Sequence, residues 1–180
     1  MQFEAERRPL RYLERVTNAA VIFAVIVFCV TIAKDYWLKQ TAHSGQGAIH
    51  QANNFKGTKL LVSGVDWSQS DRTLVLAIST QCHFCLESIP LYRTLSGAAA
   101  VKTGKVSIVA IMPQEMPAAQ SFLKQSDIHA NKVISVDLDR IGVSGTPTIF
   151  IVNRTGTIES AWIGKLSAAE QRELAAKLES

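Results

Sequence analysis

An α/β domain is the architecture the sequence predicts, with a central mixed sheet flanked by helices and one transmembrane helix in front of it. Three observations predict it. Residues 16–33 form an eighteen-residue run without a charge. Behind a polar stretch, β-branched runs alternate with segments of helical spacing, the pattern of a sheet with parallel members and helices on both faces. Composition agrees: 180 residues, 47% hydrophobic and 19% charged, fit one ordinary domain and exclude a disordered tail or a disulfide-dense mini-protein.

The apolar run, VTNAAVIFAVIVFCVTIA, spans about 27 Å as a helix, close to the hydrocarbon thickness of a bilayer. It lacks the polar stripe of a core helix. It exceeds a signal-peptide h-region and leads into Lys34, Asp35, Tyr36 and Trp37, which suit a retained span at the headgroup level. Phe28 before Cys29 excludes a lipobox. Arg7, Arg8, Arg11 and Arg15 before the run outweigh Lys34 and Lys39 after it, which places the N-terminus inside. The expected organisation is a cytoplasmic segment 1–15, an anchor 16–36 in the lipid bilayer, a linker 37–54 and a folded domain 55–180. The linker is polar, and His43 and His50 in it read as solvated loop residues. Mean hydropathy is +0.12, and the anchor accounts for much of it. The net charge of +4 is scattered, so no nucleic-acid partner is expected.

Within the domain, residues 59–63 are a short apolar run and a candidate edge strand. Residues 73–79 (TLVLAIS) and 106–112 (VSIVAIM) are near-continuous aliphatic runs, as in strands buried on both faces. Between them, Ile89, Leu91, Tyr92 and Leu95 recur at helical spacing. Residues 117–125 read as a helix, 133–136 as a strand and 137–141 as a helical turn. Residues 148–152 and 157–163 flank Asn153, Arg154, Thr155 and Gly156, a hairpin signal. Ser167 and Glu170 make a capping box for a final helix.

The chemistry sits in STQCHFCLESIP, residues 79–90. Cys82 and Cys85 follow a buried strand and open a helix, where unsatisfied amide groups favour a thiolate. Cys82 is the candidate nucleophile for disulfide exchange and Cys85 the resolving thiol. A zinc site would need two more ligands, yet Cys29 lies in the apolar run and His129 stands alone. A purely structural disulfide closed over two residues would constrain little of the unfolded chain. Hence no metal and no organic cofactor is expected, only a redox-active Cys82–Cys85 disulfide. His83 and Phe84, between the cysteines, are candidates for tuning the couple. Pro147 stands at the very start of a strand, where proline is tolerated; a trans bond would make it an ordinary turn proline, whereas a cis Thr146–Pro147 bond would place the turn beside the dithiol, with the Thr146 backbone offered to an extended substrate chain.

CHFC after a buried strand, Pro90 five residues beyond Cys85, GTPT before a strand and the Gly156 hairpin resemble the thioredoxin fold. More closely, the chain is similar to the membrane-anchored TlpA/ResA-like thiol-disulfide oxidoreductases. The anchor, the lead-in FKGTKLLVSGVDWS and the helix–strand insertion near 113–136 carry that likeness. The resemblance implies a cis Pro147, a helix kinked by Pro90, and a redox domain on the periplasmic side of the inner membrane. It also implies extracytoplasmic protein thiols or disulfides as substrates and a membrane dithiol protein as electron donor or acceptor, as in cytochrome c maturation. Gln81 stands where many relatives carry Trp. Leu76 replaces the buried acid of thioredoxins. Glu87 lies one position before the acid of the closest reductases, and either it, after a modest rearrangement, or water is the candidate for proton transfer. Trp67 reads as core or rim, with a place beside the substrate groove as the alternative. Two other activities fit the cysteines less well. A peroxiredoxin-like peroxidase lacks its upstream proline, and a copper chaperone would recruit a histidine as a third ligand.

Overall fold

The computed structural model describes residues 25–31, 52 and 54–179. The chain forms two compact units, Met1–Gln46 and Gly47–Ser180. In the first, residues 25–31 are helical with exposed side chains. The rest of the expected anchor 16–36, the segment 1–15, His43, His50 and all of the linker 37–54 except 52 and 54 lie outside the described residues. Among the described residues, no helix is long and apolar enough to cross a membrane.

The second unit is built on five strands: β1 (Arg72–Ala77), β2 (Val106–Met112), β3 (Lys132–Ser135), β4 (Thr148–Asn153) and β5 (Ile158–Ile163). Their spatial order is β3-β2-β1-β4-β5. β1 and β2 pair in parallel, as do β2 and β3, whereas β4 runs antiparallel to both β1 and β5. A parallel pair needs a crossover. Helices α1 (His83–Glu87), α2 (Ile89–Ser96) and α3 (Ala99–Lys102) supply the first crossover, and α4 (Met116–Gln125) the second. β4 and β5 close the hairpin expected around 153–156, and α5 (Ala168–Glu179) ends the domain. The capping box forms: the Ser167 backbone N–H donates to the Glu170 carboxylate at 2.7 Å.

Alternation along the strands separates two cores. Leu74, Leu76, Ile108, Ala110, Ile149 and Ile151 face one side and pack with Tyr92, Leu95, Leu123, Leu174 and Leu178 from the helices. Val75, Ala77, Val109, Ile111, Phe150 and Val152 face the other. That second face is covered by Phe55, Leu60, Val62, Val65 and Trp67 of the lead-in and by Leu138, Ile141 and Val143 around a 3₁₀ turn. The expected helical layer on this side is therefore a lead-in strap plus one turn.

Two local expectations change. The strand expected at 59–63 is reduced to an isolated bridge from Lys59 to Thr157. The chain turns away at once, at Gly64 with φ +82°, leaving Leu60 buried and Leu61 79% exposed. The active-site helix is broken rather than merely kinked: Ser88 (φ −90°, ψ 0°) separates α1 from α2. Pro90 lacks an N–H and its ring conflicts with the preceding turn, so it begins a helix and cannot continue one.

Sheet register positions the site. Ala77 at the end of β1 pairs with Thr148 at the start of β4. The residues just after β1 and just before β4, the cysteine loop and the Thr146–Pro147 turn, must therefore meet at this end of the sheet. Trp67 belongs to the other end, where a Cβ on Gly156 would come within 2.9 Å of its indole ring. It borders no groove beside the dithiol.

Candidate active site

Cys82 caps α1: its sulfur accepts the backbone N–H of Cys85 at 3.2 Å. In turn its thiol donates to the carbonyl oxygen of Thr146 at 3.2 Å. The Thr146–Pro147 peptide bond is cis. Both cysteines are free thiols; Cys85 is fully buried and Cys82 half-buried.

Their environments push the two thiols apart. Burial works against ionisation of Cys82, but hydrogen bonds with the Cys85 thiol, the Thr146 side chain and the backbone of Cys85 and Phe84 outweigh it. The thiol is held below its usual range. Burial pushes Cys85 the other way, to about 12, and its hydrogen bond with Cys82 reinforces this. An accessible thiol with a lowered pKa, backed by a buried thiol with a raised one, is an arrangement able to attack a disulfide and then resolve the product.

The flanking residues take distinct places. Phe84 is 52% exposed and packs its ring against that of His83, centroids 5.7 Å apart. His83 Nε2 lies 3.1 Å from one Glu87 oxygen, and Lys165 Nζ lies 2.7 Å from the other. The hydrogen bond from Lys165 holds the Glu87 carboxyl below the usual carboxylate range. Glu87 is thus an ion-paired surface carboxylate tying α1 to the loop after β5. Leu76 is buried among the apolar residues of the helical face, so no acid stands at the base of the dithiol from β1. Tyr92 is fully buried on that same face, and among the described residues its hydroxyl makes no well-formed hydrogen bond. Among the described residues, no group of three metal-ligating side chains forms. His129 is paired instead with Asp127 at 3.4 Å.

Gln114 and Lys165 are the neighbours that sequence reasoning missed. Gln114 lies just beyond the C-terminal end of β2, the end of a parallel sheet where sites form, and that position was its one available signal.

Solved structures with the same arrangement of strands and helices are known. One is a Chlorobium tepidum protein provisionally described as thiol:disulfide interchange protein DsbE. It superposes with a TM-score of 0.54 at 22% identity, over 69% of this chain and 95% of its own. The thioredoxin domain of a thiol-disulfide oxidoreductase from Bacteroides vulgatus gives 0.54 at 16% identity, over 69% and 98%. The domain has the thioredoxin fold. StoA from Bacillus subtilis shares this thioredoxin fold at a TM-score of 0.50 and 18% identity, over 62% and 84% of the two chains. No protein-family model and no curated protein sequence matches the chain. The likeness to the solved structures establishes the thioredoxin fold, and the chemistry is argued from the dithiol itself.

Proposed function

We propose that the chain is a thiol-disulfide oxidoreductase that exchanges disulfides with protein thiols through Cys82 and Cys85. The observation that carries this is the split between the two thiols: one accessible and easily ionised, beside a cis proline turn, the other buried and raised to about 12. In the reducing direction the Cys82 thiolate attacks a substrate disulfide and expels one substrate thiolate. Cys85, on losing its proton, attacks the Cys82 sulfur. The Cys82–Cys85 disulfide forms, and the second substrate sulfur leaves as a thiolate. In the oxidising direction the same bonds are made and broken in reverse.

The setting completes the proposal. Residues 16–36 anchor the chain in the inner membrane with a single span, and the thioredoxin-fold domain works on the periplasmic side. Its substrates are extracytoplasmic protein thiols or disulfides, and a membrane dithiol protein renews its redox state. The supporting observations are the charge-free run and the arginine bias ahead of it. The resemblance to TlpA/ResA-like proteins favours a reductant, as in cytochrome c maturation. A potential near −270 mV would support that direction and one near −120 mV would oppose it, by comparison with known dithiol proteins.

The test is trapping in intact cells. Cys85→Ser should accumulate mixed disulfides through Cys82 in the membrane fraction, and these should vanish in the Cys82→Ser, Cys85→Ser double variant. Absence of any Cys82-dependent adduct would refute the exchange. Protection of the domain from protease added to spheroplasts would refute the periplasmic placement.

A further inference from the structure

The loop after β2 reaches across to the cysteine loop through a single side chain. The Gln114 carboxamide donates from Nε2 to the Ser79 hydroxyl at 2.9 Å. Its Oε1 accepts the backbone N–H of Thr80 at 3.4 Å. The Ser79 hydroxyl also accepts the Gln81 N–H at 3.2 Å, and the Ser79 carbonyl accepts the Cys82 N–H at 3.3 Å. Gln114 is itself held, because the Ser135 hydroxyl donates to its carbonyl at 2.7 Å. One amide thus closes the turn 79–82, which delivers Cys82 to the start of α1.

We propose that Gln114 is a positioning residue for the dithiol, fixing turn 79–82 and through it the approach of Cys85 to the Cys82 sulfur. Ser79 is the point of transmission. Its carbonyl holds the Cys82 backbone, and its own backbone hydrogen bond to the Cys85 thiol works against the burial that keeps that thiol protonated. Thr146 also eases ionisation of Cys85 from the opposite side, and Leu76 stands where thioredoxins carry a buried acid. Because the turn sets where the Cys82 sulfur stands relative to the buried Cys85, the step that depends on Gln114 is the second one, in which Cys85 resolves a mixed disulfide, more than the first.

The inference rests on the dithiol exchange proposed above, but its test needs no partner protein. Reduced full-length protein carrying Cys29→Ser, so that Cys82 and Cys85 are its only thiols, is mixed with dithionitrobenzoate. Cys82 attacks the reagent and releases one nitrothiobenzoate. Cys85 then loses its proton to solvent and attacks Cys82, forming the intramolecular disulfide and releasing the second nitrothiobenzoate. The two releases are separate kinetic phases.

Gln114→Met keeps the length and removes the carboxamide. The expected result is a second phase slowed about fivefold, the loss expected for one ordinary hydrogen bond, with the first phase little changed. Should Gln114→Met fail to fold, Ser79→Ala removes one leg of the clamp at lower structural cost, and the same slowing of the second phase is expected. Where both variants fold, the double variant should be no slower than Gln114→Met alone, because they break one linkage. A second phase that is unchanged in the folded variants, phases slowed by equal factors, or strictly additive effects would each overturn the proposal. A wild-type protein that completes both phases yet neither reduces protein disulfides nor oxidises protein dithiols would refute the proposed function and leave this inference standing.

Discussion

The Cys82 sulfur lies 3.2 Å from the carbonyl oxygen of Thr146, joining two segments 64 residues apart in the chain. That carbonyl stands at the mouth of the site, next to the half-buried sulfur. A substrate chain laid along the Thr146 backbone would therefore meet the nucleophile directly. The two thiols should differ sharply in reactivity. Cys82 titrates below the ordinary thiol value near 9, and burial pushes Cys85 up to about 12. In a Cys29→Ser background, brief treatment with iodoacetamide at neutral pH should label Cys82 alone, and Cys85 only after denaturation. Peptide mass mapping checks this, and equal labelling of both would contradict it.

The upward push on Cys85 also fixes a pH dependence of stability. The Cys85 thiol is raised in the folded state, so the folded chain holds its proton more tightly than the unfolded chain does. Stability from this source is fully present below the unfolded thiol value near 9 and is lost as pH rises through about 12. Reduced wild type should therefore lose melting temperature above pH 9 faster than Cys85→Ala does. Thermal scans at several alkaline pH values measure the difference.

The buried Tyr92 hydroxyl makes no well-formed hydrogen bond among the described residues, and the Ser88 hydroxyl close to it donates instead to the Phe84 carbonyl at 2.7 Å. Removing an unsatisfied polar atom relieves a desolvation cost. Tyr92→Phe should leave stability unchanged or raise it by about 1 kcal/mol. Denaturant unfolding decides, and a clear loss of stability would show that the hydroxyl has a partner of consequence.

Much of this site was legible because its signals are local. The CxxC pair, the strand before it and the proline opening β4 each fall within a few residues, and the β1–β4 register brings them together. Gln114 and Lys165 were not legible, because their bonds to Ser79 and Glu87 span 35 and 78 residues and leave no periodic trace. The lead-in at 59–63 looked like a strand because it is apolar. Of its residues only Leu60 is buried, and the positive φ of Gly64 ends the extended path. Helices on both faces were expected from alternation alone, which counts elements and does not say which face each one covers.

At the far end of the sheet, Gly156 has φ +79° and lies against the Trp67 ring. Gly156→Ala adds both backbone strain and a clash with an aromatic side chain. It should cost about 1–3 kcal/mol of stability. Thiol reactivity should be unaffected, since the hairpin is remote from Cys82. Unfolding and labelling experiments on one preparation test both halves.

Lys165 holds the Glu87 carboxyl low by hydrogen bonding to it. Lys165→Met should raise the Glu87 titration midpoint towards the ordinary carboxylate value, with little change in melting temperature at neutral pH, because the pair is exposed. Carboxyl-carbon NMR titration reads the midpoint, and an unmoved midpoint would contradict the assignment of Lys165 as its main cause.

Turnover of a protein disulfide tests the central claim most directly. With dithiothreitol as electron source, the wild-type chain should accelerate the reduction of insulin, and Cys82→Ser should abolish that acceleration while keeping the fold. Undiminished acceleration by folded Cys82→Ser, or none by the wild type, would contradict it.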